Sequence, residues 1–162
     1  MPTPNDIIIN SLTGSQMLLH RYVDDLQPQE FLHRTSPKAN CAAWMIGHLV
    51  QTDRRVLTVL GVTDLPALPE GFEQRFARDE ATALGGDFGD VSALMPLFDQ
   101  HRNRLIDAIR RASAEQLDTP VETTRPMFKT IGEFANFMGM HTTLHAGQVT
   151  LIRRSLGKPP VV

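Results

Sequence analysis

Apolar residues recur at alternating spacings of three and four along four long stretches of the chain, and no stretch of six or more residues alternates cleanly with period two. This pattern predicts an all-α fold. The first stretch, about 5 to 26, aligns Ile9, Leu12, Gln16, Leu19, Val23 and Leu26 on one face and is stopped by Pro28. The second, about 40 to 60, opens at a candidate Asn40 cap and ends before Gly61, a residue suited to the left-handed position that closes a helix. The third, roughly 91 to 112, follows a candidate Asp90 cap and carries Val91, Leu94, Phe98, His101, Leu105, Ala108 and Ala112 on its stripe. The fourth starts at Thr130-Ile-Gly-Glu133, which reads as a capping box, and runs to about Leu156, where Gly157, Pro159 and Pro160 end it. Its inner row is Ile131, Phe134, Met138, His141, His145, Gln148, Ile152 and Leu156. Four such stripes are buried together when the helices pack as a four-helix bundle.

Between 62 and 90 the chain carries Pro66, Pro69, Gly71, Gly85, Gly86 and Gly89. That composition predicts a long crossover connection between helices two and three, with one helical turn near 70 to 76. Gly85-Gly-Asp-Phe88 spells a tetrapeptide of diguanylate cyclases, but that motif belongs on a hairpin of a larger α/β domain and reads here as a turn.

A length of 162 residues with 41% hydrophobic and 21% charged residues suits one domain spanning 1–162. Lys and Arg number 16 against 18 Asp and Glu, so the formal charge is −2 and no strong basic field exists to hold a phosphate backbone or an anionic membrane. Neither nucleic acid nor a membrane is an expected partner; a small-molecule substrate is. The apolar run at 7 to 9 is too short to span a bilayer, and no signal-like order of basic, apolar and small residues opens the chain, so the expected location is cytoplasmic. With Cys41 alone there is neither an internal disulfide nor a cysteine metal cluster, and any metal must take nitrogen or oxygen ligands.

The inner row of the fourth helix supplies such ligands. His141 and His145 stand four residues apart, which stacks their rings one turn apart on a single face, within reach of one ion. A catalytic site for a borderline metal typically has three protein ligands and an open position, so a third must come from another helix. His48, one turn after Trp44 and in line with Cys41, Met45 and Thr52, is well placed to meet the pair across the bundle. Three neutral imidazoles suit Zn²⁺, Ni²⁺, Fe²⁺ or Co²⁺ alike. Inward histidines are also ordinary core residues when hydrogen-bonded. Two adjacent ones need partners for four ring nitrogens, however, and each unpaired buried polar group costs about 1–3 kcal/mol.

Other side chains carry two readings each. His101 is a fourth ligand, an acid or base, or a hydrogen-bonded core residue. Gln148 orients a water or a histidine ring, or faces a polar bundle end. Trp44, Met45, Phe137 and Met138 wall an apolar pocket or simply pack. Arg125, Arg153 and Arg154 are candidates to meet a carboxylate, and the last two also suit the helix dipole. His20 and His33 read as surface residues and Cys41 as a small buried hydrophobe. Residue 142 is Thr, where an H-E-x-x-H metalloprotease needs its Glu general base, which disfavours peptide hydrolysis.

Trp44-Met-Ile-Gly47-His48-Leu49, then His141-Thr-Thr-Leu-His145-Ala-Gly147-Gln148, then Arg153-Arg154-Ser-Leu-Gly157 stand in an order that resembles the DinB superfamily, also called DinB/YfiT-like, over essentially the whole chain. The resemblance implies a metal-binding four-helix bundle, a possible homodimer, and a divalent metal on His48, His141 and His145. It also implies a range of activities: thiol-dependent S-transferases that use bacillithiol or mycothiol, a mycothiol-dependent maleylpyruvate isomerase, and metal-dependent hydrolases. A bound divalent ion lowers the pKa of a thiol or of water, and a thiol needs no dedicated general base. The expected activity is therefore S-transfer from a low-molecular-weight thiol to a small electrophile, ahead of hydrolysis of a small substrate, with a non-enzymatic metal-binding scaffold as the competing class.

Overall fold

Thr3 opens the first helix, α1 (Pro4–Val23): its hydroxyl accepts from the Asp6 N–H, and the Asp6 carboxylate accepts from the Thr3 N–H. The computed structural model describes residues 1–122 and 127–161, and Arg125 lies outside them. Among the described residues six further helices follow: α2 (Ala42–Val59), α3 (Phe72–Arg75), α4 (Glu80–Gly85), α5 (Leu94–Arg111), α6 (Ala114–Asp118) and α7 (Ile131–Ser155). The described residues also hold two 3-10 turns, one isolated bridge between Pro120 and Thr130, and no strand.

The helix boundaries follow local chemistry, and several differ from the sequence expectation. Cys41, not Asn40, occupies the cap position of α2, and it makes no side-chain cap bond. Burial decides here, because Cys41 and the following Ala42, Ala43 and Ile46 are all fully enclosed. Thr130 caps α7 as expected, accepting from the Glu133 N–H at 3.3 Å, but the Glu133 carboxylate reaches past it to the Lys129 N–H at 2.6 Å. Asp90 caps the 3-10 turn that leads into α5, accepting from the Ser92 N–H at 3.0 Å. Gly61 and Gly157, with φ of 78° and 71°, close α2 and α7.

The four long helices form a four-helix bundle in which α5 and α7 each lie between α1 and α2, so that α1 and α2 face each other across the diagonal. One half of the core gathers Leu19 and Tyr22 of α1, Leu49 of α2, Phe98 of α5 and Ile152 of α7. The other half gathers Leu12, Leu57, Ile109 and Met138 from the same helices. Hence α1 and α7 run in one direction, and α2 and α5 in the other. Residues 60–90 carry the chain from the end of α2 to the start of α5. The expected single helical turn is α3, and α4 is an addition. Far from being a bare linker, the segment inserts Phe72, Phe76 and Phe88 into the core, with ring centroids 4.5 and 5.5 Å apart in succession. The Gly85-to-Phe88 tetrapeptide thus ends α4 and supplies a core aromatic.

At the centre, the fully buried Arg102 of α5 forms a two-point ion pair with the fully buried Asp53 of α2, Nε to Oδ2 at 2.7 Å and Nη2 to Oδ1 at 3.1 Å. Its remaining N–H groups donate to the Leu12 carbonyl and Ser15 hydroxyl of α1, both at 3.1 Å, and to the Thr142 hydroxyl of α7 at 2.8 Å. All five guanidinium donors are thereby satisfied, as a buried charge requires. Burial pushes the Asp53 carboxyl above the usual carboxylate range, and Arg102 pulls against it. Periphery contacts close the bundle ends. Asn5 Nδ2 donates to the carbonyls of Ile109 and Ala112 at the end of α5, at 2.6 and 3.0 Å. His20 bridges α1 to α5 through Asp99, Nε2 to Oδ1 at 2.9 Å, with its Nδ1 on Asp24 at 2.9 Å, and so is more than a surface residue. No helix of the described residues is long and apolar enough to cross a membrane.

Candidate metal centre

The helical spacing of 141 and 145 brings their rings together as expected, with centroids 4.6 Å apart and the two Nε2 atoms 3.0 Å apart. Because α2 packs against α7, His48 comes to the same place: its ring centroid lies 5.1 Å from that of His141 and 5.7 Å from that of His145. Each residue offers one ligand atom, and those atoms all fall within 4.8 Å of one another. His48 and His145 are buried and His141 is half-buried. Among the described residues these three form the one group of histidine, cysteine or acidic side chains with the donors and spacing to hold a metal ion.

Each ring is braced. Trp44 lies flat against His48, 4.9 Å between centroids and 8° between planes. Phe137 stacks on His141 at 5.8 Å and 11°. The Nδ1–H of His145 donates to Gln148 Oε1 at 2.7 Å, which leaves the Nε2 lone pair directed at His141. Burial holds His145 below the ordinary imidazole range, with Gln148 pulling the other way, so this ring is neutral near pH 7. A neutral imidazole with Nδ1 hydrogen-bonded and Nε2 bare is the form a divalent cation takes as ligand. The donor set therefore fits the ion that its chemistry suggests.

Gln148 thus orients a histidine ring, the first of its two sequence readings. Trp44 and Phe137 flank the histidines, while Met45 is packed in the core. His101 is fully buried and belongs to the core alternative: its Nδ1–H donates to the Leu97 carbonyl at 2.9 Å, and it is outside the three-histidine group. Arg153 does not reach the site; it donates to the Tyr22 and Pro159 carbonyls at 3.0 and 3.3 Å and pairs with Asp25, tying the end of α7 to that of α1. Arg154 is exposed at the same end. Cys41 is enclosed, and burial pushes its thiol up, which suits an inert residue.

One local detail fixes the position of α2. Gly47, next to His48, lies under the face of Phe76, and a Cβ at that position would overlap the ring. The connection between α2 and α5 therefore packs directly behind the candidate ligand.

His48 and His141 open onto a cavity of about 980 Å³ between α2 and α7, roofed by residues 119–122 and Phe128. From α2 it receives His48, Thr52 and Arg55, at the spacing of one helical face. From α7 it receives Phe134, Phe137 and His141. Phe128 stacks on Phe134 at 4.3 Å and meets Phe137 at 5.5 Å, so the aromatic wall runs without a break to His141. Thr142, by contrast, turns its hydroxyl to Arg102 and the Met138 carbonyl. Neither Arg55 nor the cavity roof was singled out by sequence reasoning; the periodicity that places Arg55 on the face of His48 was the available signal.

A sequence model described as the DinB superfamily matches residues 11–149. No curated protein matches the chain.

Proposed function

Because the chain belongs to the DinB superfamily, we propose that His48, His141 and His145 hold one divalent metal ion and that the protein transfers a low-molecular-weight thiol to a small electrophile in the adjoining cavity. The observation that carries this reading is the convergence of three imidazoles from two helices, two of them, His48 and His141, on the wall of a chamber large enough for a small ligand. A divalent cation there supplies Lewis acidity, which lowers the pKa of a thiol or of water.

The protein's own groups prepare the site. Gln148 sets the tautomer of His145, and Trp44 and Phe137 prevent the other two rings from turning away. The aromatic wall excludes water and holds an apolar body beside His141. At position 142 a general base is lacking, and the hydroxyl present is committed to the core. S-transfer needs no such base, which favours it. Hydrolysis of a small substrate is the second reading, supported by the Glu122 carboxylate in the cavity lining.

Two measurements test the proposal. Elemental analysis of the purified protein should give one divalent ion per chain, and His48→Ala or His145→Ala should lose it with helical content retained. The metal-loaded protein should accelerate conjugation of a model electrophile by a cysteine-derived thiol, and chelation should abolish the rate. Unchanged stoichiometry in the variants refutes the ligand assignment; ester or amide turnover without thiol dependence selects hydrolysis.

A further inference from the structure

Two cationic side chains on the cavity wall have no role in holding the fold. Arg55 of α2 and Arg78, between α3 and α4, both line the cavity and are exposed. The cations around them are otherwise committed: Arg54 donates to the Pro66 carbonyl at 2.7 Å, and Arg104 pairs with Asp64. Arg55 and Arg78 take no hydrogen-bond or ion-pair partner among the described residues. Glu122 is the single acidic residue of the described lining, so the wall carries an excess of positive charge before any metal is counted.

Placement adds a length to this charge. Arg55 follows His48 by seven residues on the same face of α2, which separates their Cα atoms by about 10 Å along the axis. The opposite wall over that span is the ring series Phe134, Phe128, Phe137 and His141. A ligand that spans the chamber therefore meets imidazole at one end, aromatic faces along its body and the Arg55 guanidinium at the other, while Arg78, which follows Ala77 at Trp44, stands on the wall nearer the histidines.

We infer that the chamber binds an amphipathic organic carboxylate, its charge on Arg55, its apolar body along the phenylalanine wall and its reacting end at the histidines. This rests on the reading of the chamber as the reaction site, and it adds the substrate class. Guanidinium groups recognise carboxylates by charge-assisted, often two-point hydrogen bonds. The carboxylate belongs either to the electrophile or to the thiol.

Titration calorimetry on the purified 162-residue chain, with two probe pairs, tests this and separates the sources. Cinnamate against cinnamide represents the electrophile, and 4-(mercaptomethyl)benzoate against its amide represents the thiol. At least one acid should bind about tenfold or more tightly than its neutral partner, the worth of a charge-assisted contact. Arg55→Gln should bring that ratio down to about twofold or less, with Zn²⁺ uptake unchanged. The pair that discriminates identifies the source. Equal affinity for acid and amide in both pairs, or a preference that survives Arg55→Gln, overturns the inference. If the acid preference holds and depends on Arg55 while the protein takes up no divalent ion, the reaction proposal fails and the carboxylate site stands.

Discussion

Gln148 is exposed and hydrogen-bonds His145, so its effect on the site is separable from packing. Gln148→Ala should weaken divalent-metal affinity by about 10–100-fold, the usual cost of losing an outer partner of a histidine ligand. Competition against a chromophoric chelator measures this, and thermal stability should stay near that of the parent. Equal affinities would mean that His145 keeps its orientation without the amide. At this scale the candidate histidines were legible in the sequence because their four-residue spacing and the apolar row around them fix a common face. Arg102 and Asp53 were overlooked for a physical reason. Both fall on inner stripes, Arg102 four residues after Phe98 and Asp53 four after Leu49, but a charged residue reads as interior only once its partner is known. His20 reads as surface until Asp99 is seen across from it.

Helix starts and stops marked by side-chain caps or by Gly and Pro were legible, as at Thr130, Asp90, Gly61 and Gly157. The α2 start was not, since enclosure of Cys41 outweighs the capping preference of Asn40. The segment between α2 and α5 was read from its Gly and Pro content, which says nothing of where three phenylalanines go. Their destination has a measurable consequence at Gly47. Gly47→Ala forces a methyl into the Phe76 ring, and Phe76 is fully enclosed. Overpacking of about 1–3 kcal/mol outweighs the roughly 0.5–1 kcal/mol gained by Ala over Gly inside a helix. The midpoint of urea unfolding should fall with little change in slope, and a rise in the midpoint would show that α3 yields freely. Because the displaced connection lies behind His48, metal affinity should fall together with stability.

Across the whole molecule, one guanidinium is the point at which all four long helices meet: Leu12 and Ser15, Asp53, Arg102 and Thr142 come one or two from each. Removing one member of such a buried pair leaves the other charged and unmatched, at a cost of about 3–5 kcal/mol. Asp53→Leu and Arg102→Met alone should each destabilise by that amount in equilibrium unfolding, and the two together by clearly less than either. Additive losses would mean that the pair contributes through packing alone. Thr142 is a direct neighbour of His141 in the chain, so loosening this knot should also broaden the distribution of imidazole positions. A different consequence follows from the flat contact between Trp44 and His48. Trp44 is the chain's one tryptophan, so ultraviolet excitation at the red edge of the indole band deposits its energy beside the candidate ligand. The molecule thus contains an intrinsic optical probe, whose quenching and lifetime register what occupies the neighbouring imidazole without any added dye.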